Sequence, residues 1–476
     1  MLRCALTLFT WLFFFNSTSG QSYPQTELTD RVDELFAQWD KESTPGATIG
    51  IYQDGETVYA QGYGTANLDH NIPLNPGSVL RIGSISKQFM AMCVAILAEQ
   101  GHLSLDDDIR LHLPEMPDYG KPVTIRHLLH HTNGIREYLA LVSLAGKPEG
   151  GVLGYTAKEL VEMLARQRAL NFEPGSQFSY TNSGYFLLAE IVTRVSGMKA
   201  SAFALQNVFE PLGMTSTQFY DNRNAIIPNR AFGYSPKPGG GYSLDILRSD
   251  VIGDLGVITT VEDFLEWDQN FYKNSLGAGT DDLINTMFTR GHTNDGEELA
   301  YALGLTFGSY RGLNTMGHGG SAVGYRAEYL QFPDQRFSVV ILSNVSSFQP
   351  GVMAQKVADL YLADQFTKPR TTNDPEQTRS EIPEAQEQPI LDMSDFVGDF
   401  YSDELDVSYS LLLKEDGLYL DLRGLASELI PYSEDRLNWG RRELIFSRNE
   451  DDDISGFKIN VGEIRGLEFL KLKNDP

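Results

Sequence analysis

The spacing of apolar and polar positions divides the chain into an α+β stretch, a polar interruption and a run of short strands. Within residues 21–45, Val32, Leu35, Phe36 and Trp39 recur at helical spacing, which predicts an amphipathic helix stopped by Thr44-Pro45-Gly46. Residues 47–52 and 57–63 read as two strands joined by Gln53-Asp54-Gly55-Glu56, a hairpin signal. Residues 90–98 are apolar without a break and predict a buried helix that ends near Gln100-Gly101. Further helices are expected at 123–129, with Thr124 as cap, and at 157–164, 185–195 and 257–267. Strands are expected at 303–307, 325–332 and 337–343, before a closing helix at 352–362. The early hairpin and the late strands would form one antiparallel sheet, with the helical middle packed against it. Residues 235–242, rich in Gly and Pro, read as a loop able to border a site.

Residues 367–392 are polar and show no apolar period, so they read as a linker. Beyond it, residues 393–476 alternate in short runs at 396–401, 407–414, 418–422, 444–447, 456–461 and 464–472. Turns such as Glu415-Asp416-Gly417 separate them, which predicts a small all-β barrel or curved sheet.

Composition sharpens this division. At 476 residues the chain exceeds one typical domain, and two units are expected, at 21–366 and 393–476. Residues 1–20 differ from both. Arg3, an apolar run from Cys4 to Phe15 and small residues from Asn16 to Gly20 read as a cleaved secretory signal peptide. The expected location is therefore periplasmic or secreted. No later segment has eighteen uninterrupted apolar residues, so no stable membrane span is expected. Past the leader, Cys93 is the one cysteine, which rules out an internal disulfide there and argues against a structural zinc. His127, His130 and His131 lack carboxylate or thiol partners at ligand spacing, so packing or capping explains them better than a metal. No metal or organic cofactor is called for. A net charge of −26 argues against nucleic acid or an anionic membrane as partner.

The candidate chemistry starts at Ser84-Ile85-Ser86-Lys87, at the mouth of the buried helix. A Ser and a Lys three residues apart share one helix face. A serine at a helix start also lies near unpaired backbone N–H groups, which suits a nucleophile that must hold an oxyanion. The competing reading is a plain N-cap. Two further segments decide between them. Tyr180-Thr181-Asn182 places a phenol and an amide in a turn before a helix, and His318-Gly319-Gly320 precedes a strand where bare backbone can approach a ligand.

These three motifs, in this order, resemble the serine β-lactamase and penicillin-binding-protein superfamily. The flanks at 124–135, 182–185 and 256–263, with Trp267, resemble its class C branch, which includes D-stereospecific peptidases and esterases. The resemblance spans roughly residues 25–365. It implies a β-lactamase/transpeptidase-like domain in which Ser84 is acylated and Lys87 activates it and relays the proton. Tyr180 would be general base or share that role. Asn182 would hold a substrate amide, and the N–H groups of Ser84 and Ser321 would form the oxyanion hole. His318, Gly319 and Gly320 stand where β-lactamases of this branch carry Lys-Thr-Gly, and His holds a substrate carboxylate less firmly than Lys does. The implied substrates are D-amino-acid peptides, amides or small esters, with a β-lactamase or D-Ala-D-Ala carboxypeptidase as the alternative. A non-catalytic binder of the same fold has no need of all four polar side chains. The 393–476 strands resemble, more loosely, lipocalin-like modules appended to D-aminopeptidases, either gating the site or serving stability.

Overall fold

One strand in this chain is buried on both faces, and the domain is built around it. In the computed structural model, which describes residues 25–146, 155–247, 249–369, 392–415, 417–462 and 464–473, every residue of Phe337–Ser343 is buried. The leader at 1–20 and linker residues 370–391 lie outside the described residues. A strand with no polar face must be covered on both sides. Here Val339 and Ile341 face one hydrophobic cluster, and Val340 and Leu342 face another. Fully burying each such side chain stabilises by about 1.5–3 kcal/mol.

The six-stranded antiparallel sheet runs in the order β3-β4-β5-β6-β1-β2. Its strands are β1 (Ala47–Gln53), β2 (Glu56–Tyr63), β3 (Thr306–Tyr310), β4 (Leu313–Ala322), β5 (Tyr325–Phe332) and β6 (Phe337–Ser343). Ala47 of β1 lies opposite Ser343 of β6, so the early hairpin and late strands do meet. On one face sit α1 (Gln25–Phe36) and the closing helix Pro350–Tyr361, whose Val32, Phe36, Met353 and Val357 pack on Ile49, Ile51 and Ile341. The other face is covered by the helical middle, centred on α2 (Ser86–Glu99). Residues Ser86 through Leu97 of α2 are all buried. A helix buried on every side is a core helix.

Four expectations need correction. His318-Gly319-Gly320 does not precede a strand; it lies within β4. The edge strand is Thr306–Tyr310, not 303–307. The stretch 257–267 is a strand, Val257–Thr259, followed by a helix, Phe264–Asn270. Its β-branched Val-Ile-Thr start pairs with Leu80 and Arg81 immediately before the Ser84 turn. The 235–242 loop is a small hairpin, Tyr234–Pro236 with Tyr242–Leu244.

The C-terminal strands close into an eight-stranded antiparallel barrel from Gly398–Ser402 to Ile464–Lys471. Two of its strands, Leu425–Ser433 and Arg436–Trp439, were not legible as separate runs. Its interior is filled by rings. Phe457 stacks on Phe469 at 4.9 Å, and Tyr409 stacks on Phe469 at 4.4 Å. This apolar interior is continuous with the core around α2.

Candidate active site

Ser84 sits in a one-turn 3-10 segment, Gly83–Ile85, that runs straight into α2. The α2 cap position is Ile85, and no side chain caps it. The capping role for Ser84 is therefore excluded, and its hydroxyl is free for other work. Gly83 and Gly320 explain why the turn lies so close to β4. Gly83 has φ +54°, and a Cβ there would meet the Ser321 nitrogen at 2.4 Å. A Cβ on Gly320 would come within 1.9 Å of the Ile82 carbonyl oxygen. Only glycine allows two backbones to approach this closely. The contact brings the start of the Ser84 turn against Ser321. Ser86 Oγ accepts the Val257 N–H at 3.0 Å and ties the turn down from the other side.

Lys87, fully buried in the first turn of α2, donates to Ser84 Oγ at 3.2 Å, Asn182 Oδ1 at 2.8 Å and the Asp254 carbonyl at 3.1 Å. Its Nζ also lies 4.8 Å from the Tyr180 ring centre, a cation–π distance. The sequence motifs Ser84-Lys87, Tyr180-Asn182 and His318-Gly320 thus converge on one place. Tyr180 stands just before the helix α3 (Asn182–Ser196), whose cap is Thr181. The Tyr180 hydroxyl is buried with no hydrogen-bond partner. A buried, unpaired phenol is costly, and here it lies beside the ammonium of Lys87.

Asn182 was expected to hold a substrate amide. In the structure Oδ1 accepts from Lys87, and Nδ2 donates to Glu137 Oε1 at 3.3 Å. One lone pair and one N–H remain for anything else. Glu137 also accepts the Asn182 N–H at 2.5 Å and the Thr181 hydroxyl at 2.8 Å. Sequence reasoning missed Glu137 and Asp254. Asp254 is fully buried and accepts the Tyr138 hydroxyl at 2.9 Å. Burial pushes its carboxyl up to about 6, with the Lys87 charge pulling the other way. Neither residue lies in a recognisable motif, and their only sequence signal is an acid in an otherwise apolar, Gly-rich flank.

His318 points to the same face as Tyr329, its register partner, toward α2. Nδ1 lies 2.6 Å from the Gly319 carbonyl, and Nε2 lies 3.1 Å from the Tyr301 hydroxyl. This pattern assigns a neutral ring with the proton on Nδ1 and Nε2 accepting from Tyr301. Burial, reinforced by the Lys87 charge, lowers its pKa to about 4. Gly319 and Ser321 are exposed. β3 pairs with β4 only from Leu313 to Gly317, so β3 leaves this edge of His318–Ser321 uncovered. An uncovered strand edge offers N–H and C=O groups to an extended ligand.

The three nearby histidines are held by local contacts, with His130 Nε2 3.1 Å from the Thr289 carbonyl. His127 completes a capping box with Thr124. His131 is buried against the Tyr180 ring at 4.2 Å, and its Nδ1 accepts the Thr181 N–H at 3.2 Å. No cluster of metal-ligating side chains occurs among the described residues.

The family model described as Beta-lactamase matches residues 32–363. A D-aminopeptidase of Gluconobacter oxydans is 28% identical over 314 residues, 66% of this chain and 58% of that protein. The chain therefore spans less than two thirds of that relative's length. Penicillin-binding protein 4* of Bacillus subtilis is 27% identical over 427 residues, covering 84% of this chain and 89% of that protein. Among solved structures, the octameric penicillin-binding protein homologue from Pyrococcus abyssi superposes with a TM-score of 0.63 at 24% identity, covering 94% of this chain and 99% of that one.

Proposed function

This chain belongs to the Beta-lactamase family; on that premise we propose that it is a serine hydrolase working through an acyl-enzyme on Ser84. The supporting observation is that the buried Lys87 Nζ lies 3.2 Å from Ser84 Oγ while its other partners, Asn182 Oδ1 and the Asp254 carbonyl, are both neutral oxygens. A lysine held this way is oriented at the nucleophile without being locked to a carboxylate.

Ser84 Oγ attacks the substrate carbonyl carbon, and its proton passes to the lone pair of Lys87 Nζ in its unprotonated, amine form, with Tyr180 sharing that role. The N–H groups of Ser84 and Ser321 hold the developing oxyanion. The proton then goes to the departing amine or alcohol as its bond to the carbonyl carbon breaks. Water enters along the same path, and hydrolysis of the Ser84 ester releases the acid. Asn182 holds Lys87 in line and offers its remaining N–H to the substrate.

The substrates are D-amino-acid peptides or amides, or small esters. The alternative, a β-lactamase or D-Ala-D-Ala carboxypeptidase, requires firm binding of a substrate carboxylate. The neutral His318, already bonded to Tyr301, is poorly suited to that. The leader at 1–20 supports an exported protein. No helix among the described residues is long and apolar enough to cross a membrane.

The test is active-site labelling with a fluorophosphonate and a fluorescent β-lactam, mapped by mass spectrometry. The expected label is on Ser84 and is absent from Ser84→Ala. A substrate panel should then rank p-nitrophenyl esters and D-amino-acid amides above nitrocefin. Label on another residue overturns the mechanism, and nitrocefin turnover equal to ester turnover overturns the substrate assignment.

A further inference from the structure

The barrel reaches the active site through three consecutive residues, Arg136, Glu137 and Tyr138. Their side chains go to three different places. Arg136, 1% exposed in its side chain, donates from Nη1 to Glu404 Oε2 of the barrel at 2.8 Å. Its Nη2 donates to the barrel carbonyl of Arg465 at 2.8 Å. Glu137 accepts from the backbone and side chain of Asn182. Tyr138 donates to Asp254, whose carbonyl accepts from Lys87. The backbone is pinned as well, because Ser183 Oγ donates to the Arg136 carbonyl at 2.7 Å and accepts the Tyr138 N–H at 2.7 Å.

Glu404 is held from several directions. Its Oε1 accepts the Arg168 N–H at 2.7 Å, and its carbonyl accepts from Gln167 Nε2 at 3.0 Å. Gln167 Oε1 in turn accepts from Arg136 Nη1 at 2.9 Å. The barrel thus supplies the carboxylate for a guanidinium that stays charged at any relevant pH. Without that carboxylate, a buried cation is left unpaired one residue from Glu137. The segment would have to move to bring Arg136 to water, and both of Lys87's protein anchors are bonded to that segment.

We propose that Glu404 is a positioning residue for acyl transfer. By pairing with Arg136 it fixes 136–138, and through Glu137 and Tyr138 it fixes the Asn182 and Asp254 acceptors that aim Lys87 at Ser84. The barrel is therefore part of the catalytic framework. The inference rests on the proposed Ser84 chemistry for its kinetic consequence but not for its structural one.

The experiment compares the full-length protein with Glu404→Ala, Glu404→Gln and Tyr409→Phe, using a p-nitrophenyl ester. Tyr409→Phe removes another bond of the same interface, to the Leu144 carbonyl at 2.6 Å, which lies six residues along the helix Tyr138–Ala145 and neutralises no buried charge. In Glu404→Ala, kcat is expected to fall on the order of 10-fold, with KM changed less than about twofold and the pH profile displaced. Glu404→Gln, which keeps the shape and guards against a misfolded Ala variant, should recover part of the loss. Tyr409→Phe should keep the wild-type kcat. Amide hydrogen exchange gives a second readout that needs no turnover. The peptides containing Asn182–Ser183 and Asp254 should exchange faster in Glu404→Ala and not in Tyr409→Phe. Unchanged exchange there overturns the inference whatever the substrate proves to be. So does a Tyr409→Phe loss equal to that of Glu404→Ala. A wild type that fails to acylate at Ser84 but shows the expected exchange pattern would instead overturn the proposed function.

Discussion

Two buried cations, Lys87 and Arg136, lie 49 positions apart in sequence and have opposite surroundings. Arg136 is met by a carboxylate at 2.8 Å, a side-chain amide at 2.9 Å and a carbonyl at 2.8 Å. Lys87 is met by an alcohol, an amide and a peptide carbonyl, while Glu137 and Asp254 stand one bond further out. The first arrangement holds a permanent charge in a fixed place. The second orients an amine while leaving its proton transferable. Burial is common to both, so the partner set separates a docking site from a reactive one.

Replacing each cation by an apolar side chain of similar length should show the contrast most strongly. Lys87→Met is expected to lower kcat by about 10³-fold or more, with the smaller loss of stability of the pair. Arg136→Met leaves Glu404 buried and unpaired, and should cost about 3–5 kcal/mol of stability, read by urea unfolding. Equal kinetic losses at both sites would break the comparison.

Tyr180→Phe sharpens it further. The hydroxyl is buried without a partner, so its removal should leave stability unchanged or raise it by about 1 kcal/mol. The same change should lower kcat about 10²-fold. A stability loss on denaturant unfolding would mean that this phenol is structural.

His318→Lys places a third cation at the site, in the position where related β-lactamases carry one. The ratio of kcat/KM for a carboxylate-bearing cephalosporin over a neutral ester should rise on the order of 10-fold. An unmoved ratio would show that carboxylate recognition does not depend on this position.

The smallest expected effect concerns a carboxyl with no cation beside it. Glu328 lies opposite Gly319 on the back of the sheet, where burial pushes its pKa up to about 7. Over the range from about 4.5 to 7 the folded protein keeps a proton that the unfolded chain has lost. Stability therefore falls as pH rises through that window. Glu328→Gln should flatten this slope in melting curves taken between pH 4.5 and 7.5 without changing the kcat ranking of substrates.

Much of the architecture was legible because it rests on local pattern. The two-sided apolar run at 337–343, the alternation in the barrel and the cap at Thr124 each follow from side-chain periodicity or a single hydrogen bond. The motif residues were legible for a similar reason, since acyl chemistry needs a Ser and a Lys on one helix face and glycines where two backbones touch. Less legible were His318-Gly319-Gly320, whose glycines weakened the strand signal of β4, and the helical run at 257–267, whose β-branched start is a strand. Arg136 and Glu404 carried no signal, and Glu137 and Asp254 only that of an acid in an apolar flank, because each acquires its role from a partner far away in sequence.

The amino-acid sequence by itself pointed to the groups proposed to react: Ser84, Lys87, Tyr180, Asn182 and the His318 strand. It also pointed to an α+β domain with an antiparallel sheet and to a small barrel. Only the tertiary structure decided what surrounds the lysine, and that the barrel's Glu404 neutralises the arginine next to the active-site framework. Hydrophobic periodicity is set by neighbours along the chain, whereas the electrostatics of a buried charge depend on whatever the fold brings within about 4 Å.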